Sequence, residues 1–127
     1  MPDRYNMSGD FRGAIINIKS TLTNVQQSVG EIQTGDQEAR KELEQLIGQL
    51  SEALEKVPEE NQEQAQAVAE TAKVLVDTAK AETPNKTMVQ ITGEGLKQAA
   101  QNLVEVMPAV VTIAGQIALT VAKLVGA

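Results

Sequence analysis

The sequence has no Cys, no His and no Trp, and only one Tyr and one Phe in 127 residues. Each absence removes a class of chemistry. Without Cys there is no disulfide framework, no thiolate nucleophile and no Cys-ligated zinc or iron–sulfur centre. Without His the commonest general base and the commonest transition-metal ligand are missing. The Glu-x-x-His element of carboxylate-bridged di-metal bundles goes with it. Aromatics at 2% leave almost no stacking platform for bases or sugars. The length suits one domain. Its core has to be built from Ala, Val, Ile and Leu, so close helix packing must replace aromatic bulk.

Charge is scarce in one sign. The net charge is −6, and residues 31–70 hold eleven acids against Arg40, Lys41 and Lys56. The flanking segments are nearly neutral. Nucleic-acid binding needs clustered Lys or Arg to displace counterions, and the sequence has no basic cluster, so no nucleic-acid partner is expected. The acidic run reads as a solvated helix face. Residues 1–20 include Asp3, Arg4, Asp10, Arg12 and Lys19 and no apolar stretch of the kind an export signal requires. The expected compartment is the cytoplasm.

Apolar periodicity supplies the architecture. Residues 1–12 are polar and rich in turn formers, which predicts a flexible tail ahead of a single helical domain at 13–127. Ile15, Ile18, Leu22, Val25, Val29 and Ile32 then follow at gaps of 3, 4, 3, 4 and 3, a heptad seam. The spacing predicts helix from about Ser20, and the β-branched residues leave residues 14–19 open to an extended alternative. Gln33–Asp36 reads as a turn with Asp36 as N-cap. Ala39, Leu43, Leu46, Leu50, Ala53 and Val57, widened by Ile47 and Leu54, give the strongest helical pattern. Pro58 ends it and suits the first turn of a third helix reaching about Lys80. That helix has a seam of Ala65, Val68, Ala72, Leu75 and Ala79, flanked by Val74 and Val76. Thr83–Asn85 breaks the chain again. Residues 87–107 put Val89, Leu96, Ala99, Leu103 and Val106 on one side, with a strand at 87–92 as the alternative. Short connections favour antiparallel neighbours. The expected fold is all-α, an up-and-down bundle of four to five helices.

The segment 109–127 carries one charge, Lys123, and no acid. Thr112, Gln116, Thr120 and Lys123 fall on one narrow stripe, a polar seam. Ala114, Ala118 and Ala122 form a second stripe of small residues that permits close helix approach. A helix apolar nearly all round is expected to be buried nearly all round. Its cover can come from this chain, from a second subunit or from a bilayer, since about 20 apolar residues span the hydrocarbon.

No recognisable catalytic set is present. Gly93-Glu94-Gly95 lacks the third glycine of a dinucleotide loop and has no following Gly-Lys-Ser/Thr. The paired glutamates sit on charged helix faces rather than in a cleft that would shift a pKa. No enzyme, metal or cofactor is expected.

The stretches NIKSTLTNVQQSVGEI, ELEQLIGQLSEALEKVPEE, QAVAETAKVLVDTAK and PNKTMVQITGEGLKQAAQNL, covering most of residues 14–107, resemble small helical modules of uncharacterised bacterial proteins, cyanobacterial ones among them. Some of those modules accompany signalling or defence-type proteins. The resemblance carries no motif of known chemistry and implies an interaction module in a bacterial cytoplasm.

The sequence thus predicts a non-enzymatic module that self-associates or docks on a protein partner through apolar seams. The predicted interaction residues are Ile15, Ile18, Leu22, Val25 and Val29 in the first seam. In the last helix they are Val110, Ile113, Ala114, Ile117, Ala118, Val121, Ala122 and Leu124. The alternative is a membrane-active effector whose segment 109–127 inserts into a bilayer.

Overall fold

A computed structural model describes the backbone of residues 2–126 and the side chains of residues 15–126. Five α-helices follow one another: α1 (Pro2–Val29), α2 (Gln37–Glu55), α3 (Gln62–Ala79), α4 (Lys86–Gln101) and α5 (Pro108–Val125). The chain is an all-α bundle, as the periodicities require.

Two extended alternatives are overturned. Residues 14–19 lie inside α1, and residues 87–92 lie inside α4. In both, heptad spacing outweighs β-branched propensity, because tertiary burial of a continuous stripe is worth more than a few tenths of a kcal/mol per residue. Residues 2–12, read as a tail, continue the backbone of α1. The fourth helix is shorter than its pattern, ending at Gln101. Turns follow to Val106, which is therefore off the helix and exposed.

The helix boundaries have local causes. Asp36 is extended, and its Oδ1 accepts the Ala39 N–H at 2.7 Å, satisfying one orphan donor of α2. Asn85 does the same for α4, accepting from Met88 N–H at 3.1 Å. Pro58 precedes a single 3-10 turn at Glu59–Asn61 before α3 begins. Pro108 opens α5, and Gly126 closes it in the left-handed conformation at φ 73°.

The five helices close into a ring. Going round it, α1 packs on α2, α2 on α5, α5 on α4, α4 on α3, and α3 back on α1, with a lesser α3–α5 contact across the interior. Consecutive helices α2 and α3 are thus not side-by-side neighbours; they flank α1. Short connections make successive helices alternate in direction, but a ring with an odd number of members cannot alternate all the way round. One neighbouring pair must run parallel, and it is α1 with α3. Lys80 at the end of α3 reaches Ser28 and Glu31 at the end of α1, at 3.4 and 3.8 Å. Elsewhere the pairs are antiparallel: along α1, Lys19 meets Glu55 at the end of α2 at 3.5 Å, while the later Gln26 meets the earlier Glu44 carbonyl at 3.0 Å. The up-and-down expectation holds for four of the five neighbours and fails at this one.

Among the described residues, the apolar core that fills the ring is aliphatic, led by Leu22, Leu43, Ile47, Leu50, Leu54, Leu75, Leu96, Leu103 and Ile117. Small residues let the helices approach. A Cβ on Gly93 would stand 3.4 Å from the Ala118 Cβ, and one on Gly48 3.1 Å from Gln26 Nε2.

Candidate interaction surface

The structure sends most of the predicted interaction residues inward. In α1, Ile18, Leu22, Val25 and Val29 are buried and Ile15 is half-buried. In α5, Val110, Ala114, Ile117, Ala118, Val121 and Leu124 are buried, and Ile113 and Ala122 are half-buried. These seams are covered by the chain's own helices.

The expectation that α5 is buried nearly all round is corrected. No position in the ring is central, so every helix keeps an outer face, and α5 is flanked by α4 on one side and α2 on the other. Thr112, Gln116 and Lys123 lie on its outer face and are exposed. Thr120 is buried instead, at 6% exposure. The residue that belongs on the outer stripe is Leu119, spaced three after Gln116 and four before Lys123. It is 69% exposed, the largest value among the exposed large apolar residues. The sequence held this signal as a Leu embedded in a polar stripe; grouping Thr112, Gln116, Thr120 and Lys123 passed it over.

Leu119 borders two depressions. One, of about 320 Å3, lies between α4 and α5. Val89, Gly93 and Ala118 form its floor, Leu119 and Ala122 one wall, and Glu94 and Lys97 its rim. It exists because Gly93 and Ala118 carry almost no side chain where the two helices meet. Glu94 and Lys97 are paired along the rim at 2.9 Å. The other depression lies between α2 and α5, where Glu42, Gln116, Thr120 and Lys123 surround the opposite flank of Leu119.

A second group of uncovered apolar side chains sits on the α3/α4 seam. Gly95 faces Thr71, a Cβ there standing 3.6 Å from its Cγ2. On this antiparallel pair Val74 of α3 and Ile91 and Met88 of α4 are all exposed. Neither Leu119 nor Ile91 was among the predicted interaction residues.

The polar groups do structural work. Thr23, Thr71, Thr78 and Thr92 each donate the hydroxyl to the carbonyl four residues earlier, at 2.7 to 2.8 Å. Arg40 of α2 reaches back over the α1–α2 connection. Its Nη1 donates to the carbonyls of Ile32, Thr34 and Gly35 at 3.4, 3.2 and 3.2 Å. Among the described residues, no three His, Cys, Asp or Glu side chains gather where they could hold a metal ion. What the outer surface offers is shape and apolar area.

No family model matches this chain, and neither does any curated protein or solved structure.

Proposed function

We propose that the chain is a non-enzymatic helical interaction module of a bacterial cytoplasm, which self-associates or docks on a protein partner. Its apolar seams build the scaffold, and the partner meets apolar residues that the scaffold leaves outside. The observation that carries this role is Leu119, at 69% the most exposed of the described large apolar residues and set beside an apolar groove. A protruding Leu next to an unfilled apolar depression makes a contiguous apolar surface of the kind that marks an interaction site. The acidic middle of the chain disfavours nucleic acid as the partner.

One observation favours a second reading. Among the described helices, α5 alone is long and apolar enough to cross a membrane, with mean hydropathy 1.7 over Pro108–Val125. Insertion would first withdraw Val110, Ile117, Val121 and Leu124 from the core. Each such side chain represents roughly 1.5–3 kcal/mol of burial, so the bundle opposes it.

Vesicle flotation separates the two. With anionic and zwitterionic vesicles, an interaction module stays in the bottom fraction and keeps its cooperative melt. A membrane effector floats and leaks trapped dye, and that result would replace the proposed role.

A further inference from the structure

Resting on the interaction role proposed above, we infer that the partner at this face is a second copy of the same chain, joined across a two-fold axis so that Leu119 of each copy seats in the α4/α5 groove of the other. Three observations carry it.

The first is self-complementarity. A two-fold contact applies one patch to itself, so that patch must hold both a projection and the hollow that receives it. Here Leu119 projects from α5, and it is itself one wall of the 320 Å3 groove floored by Val89, Gly93 and Ala118. Knob and hole are neighbours on one surface, so a rotation about an axis beside Leu119 makes the same contact twice.

The second is room for close approach. Gly115 and Ala122 stand four residues before and three after Leu119, on the flank toward α4. No heavy atom lies within 4 Å of where a Gly115 Cβ would be. A facing helix can therefore come close enough for Leu119 to reach the groove floor. A standard interface takes about 800 Å2 from each partner, roughly a ninth of the chain's 7115 Å2 surface. Two neighbouring helices about 25 Å long and about 10 Å apart offer an outer face of that order.

The third is charge. Two copies at −6 each repel at long range, so a self-contact needs a face where charge cancels. The rim around Leu119 holds Glu94 and Lys97 on one side and Glu42 and Lys123 on the other. Two acids and two bases can be matched with their own rotated copy. On the outer face of α2 the exposed Glu38, Glu44, Glu52 and Glu55 outnumber the exposed Lys41, so a second copy there would meet net negative charge with its own.

Sedimentation equilibrium of the full chain from about 1 μM to about 1 mM covers the range in which weak to moderate dimers form. The weight-average mass should rise from 13.6 kDa to twice that value and stop. Leu119→Glu should hold it at 13.6 kDa with an unchanged thermal melt, while Val74→Glu, on the α3/α4 seam, should dimerise like the parent. A parent that stays at 13.6 kDa throughout overturns the dimer. So does a mass that climbs past twice the monomer, the mark of a head-to-tail contact, and so does a Leu119→Glu variant that still dimerises. A dimer failing in solution differs from flotation on vesicles, which would remove the interaction role itself.

Discussion

Gly35 packs directly on Leu124. The connection between α1 and α2 crosses the C-terminal turn of α5 at this point, and a Cβ on Gly35 would collide with the Leu124 side chain. It would also stand only 2.9 Å from the Leu124 Cα and carbonyl oxygen. Gly35 has φ 83° as well, a conformation that L side chains rarely adopt. Backbone and packing demand glycine independently, and through this contact the first connection locks the last helix into the ring.

Replacing Gly35 by Ala therefore meets both obstacles. The left-handed conformation alone costs an L residue about 1–2 kcal/mol, and the Leu124 backbone cannot move aside cheaply. Urea denaturation of Gly35→Ala should show a loss of at least about 2 kcal/mol. A midpoint equal to that of the parent would show that the α1–α2 connection does not bear on α5.

Gly115 presents the opposite case. It lies within α5, its φ is ordinary, and open space surrounds the position of a Cβ. Gly115→Ala should raise stability by about 0.5–1 kcal/mol, since it removes chain entropy without a clash. Measured at micromolar concentration, where association is weakest, a loss of stability would contradict the open space at this position.

Ile117 and Leu119 are two residues apart on one helix and should respond oppositely to charge. Ile117 is fully buried, so Ile117→Glu places an unpaired carboxylate in an aliphatic core and should cost more than about 4 kcal/mol, enough to threaten folding. Leu119→Glu changes a solvent-facing position and should stay within about 0.5 kcal/mol. Circular dichroism melts of the two variants decide the matter; equal destabilisation would mean that α5 is rotated from the orientation described.

Arg40 ties the same connection from the other side. Losing the guanidinium leaves the Ile32, Thr34 and Gly35 carbonyls without this donor, and hydrogen bonds to a charged group contribute about 1.5–3 kcal/mol in total at such sites. Part of that is recovered by water, because Arg40 is only half-buried. Arg40→Ala should cost about 1–2 kcal/mol and speed amide exchange at Gly30–Asp36 more than elsewhere. Uniform exchange across the chain would refute a local clamp.

Much of the fold was legible because burial imposes its period on sequence. The heptad seam from Ile15 to Ile32, the stripe from Ala39 to Val57, the cap Asp36 and the break at Thr83–Asn85 all mark features that local chemistry enforces. The 14–19 and 87–92 segments were ambiguous because their β-branched residues serve a strand and a buried helix face equally well. The interaction residues were the harder problem. Periodicity identifies which side of a helix is apolar, and in a bundle that side is spent on the core, so the residues left for a partner are those that break the pattern. Leu119 and Ile91 are of that kind.

The sequence by itself determined the aliphatic seams, an all-α bundle of four to five helices and the exclusion of Cys and His chemistry, because composition and period follow from residue types alone. The ring order, the parallel α1–α3 pair, the inward turn of Thr120 and the outward turn of Leu119 were decided only by tertiary structure. These depend on which helices become neighbours. In a closed ring of five, each helix has two flanks and an outer face, and a difference of 100° between successive residues is enough to move a side chain from one to the other.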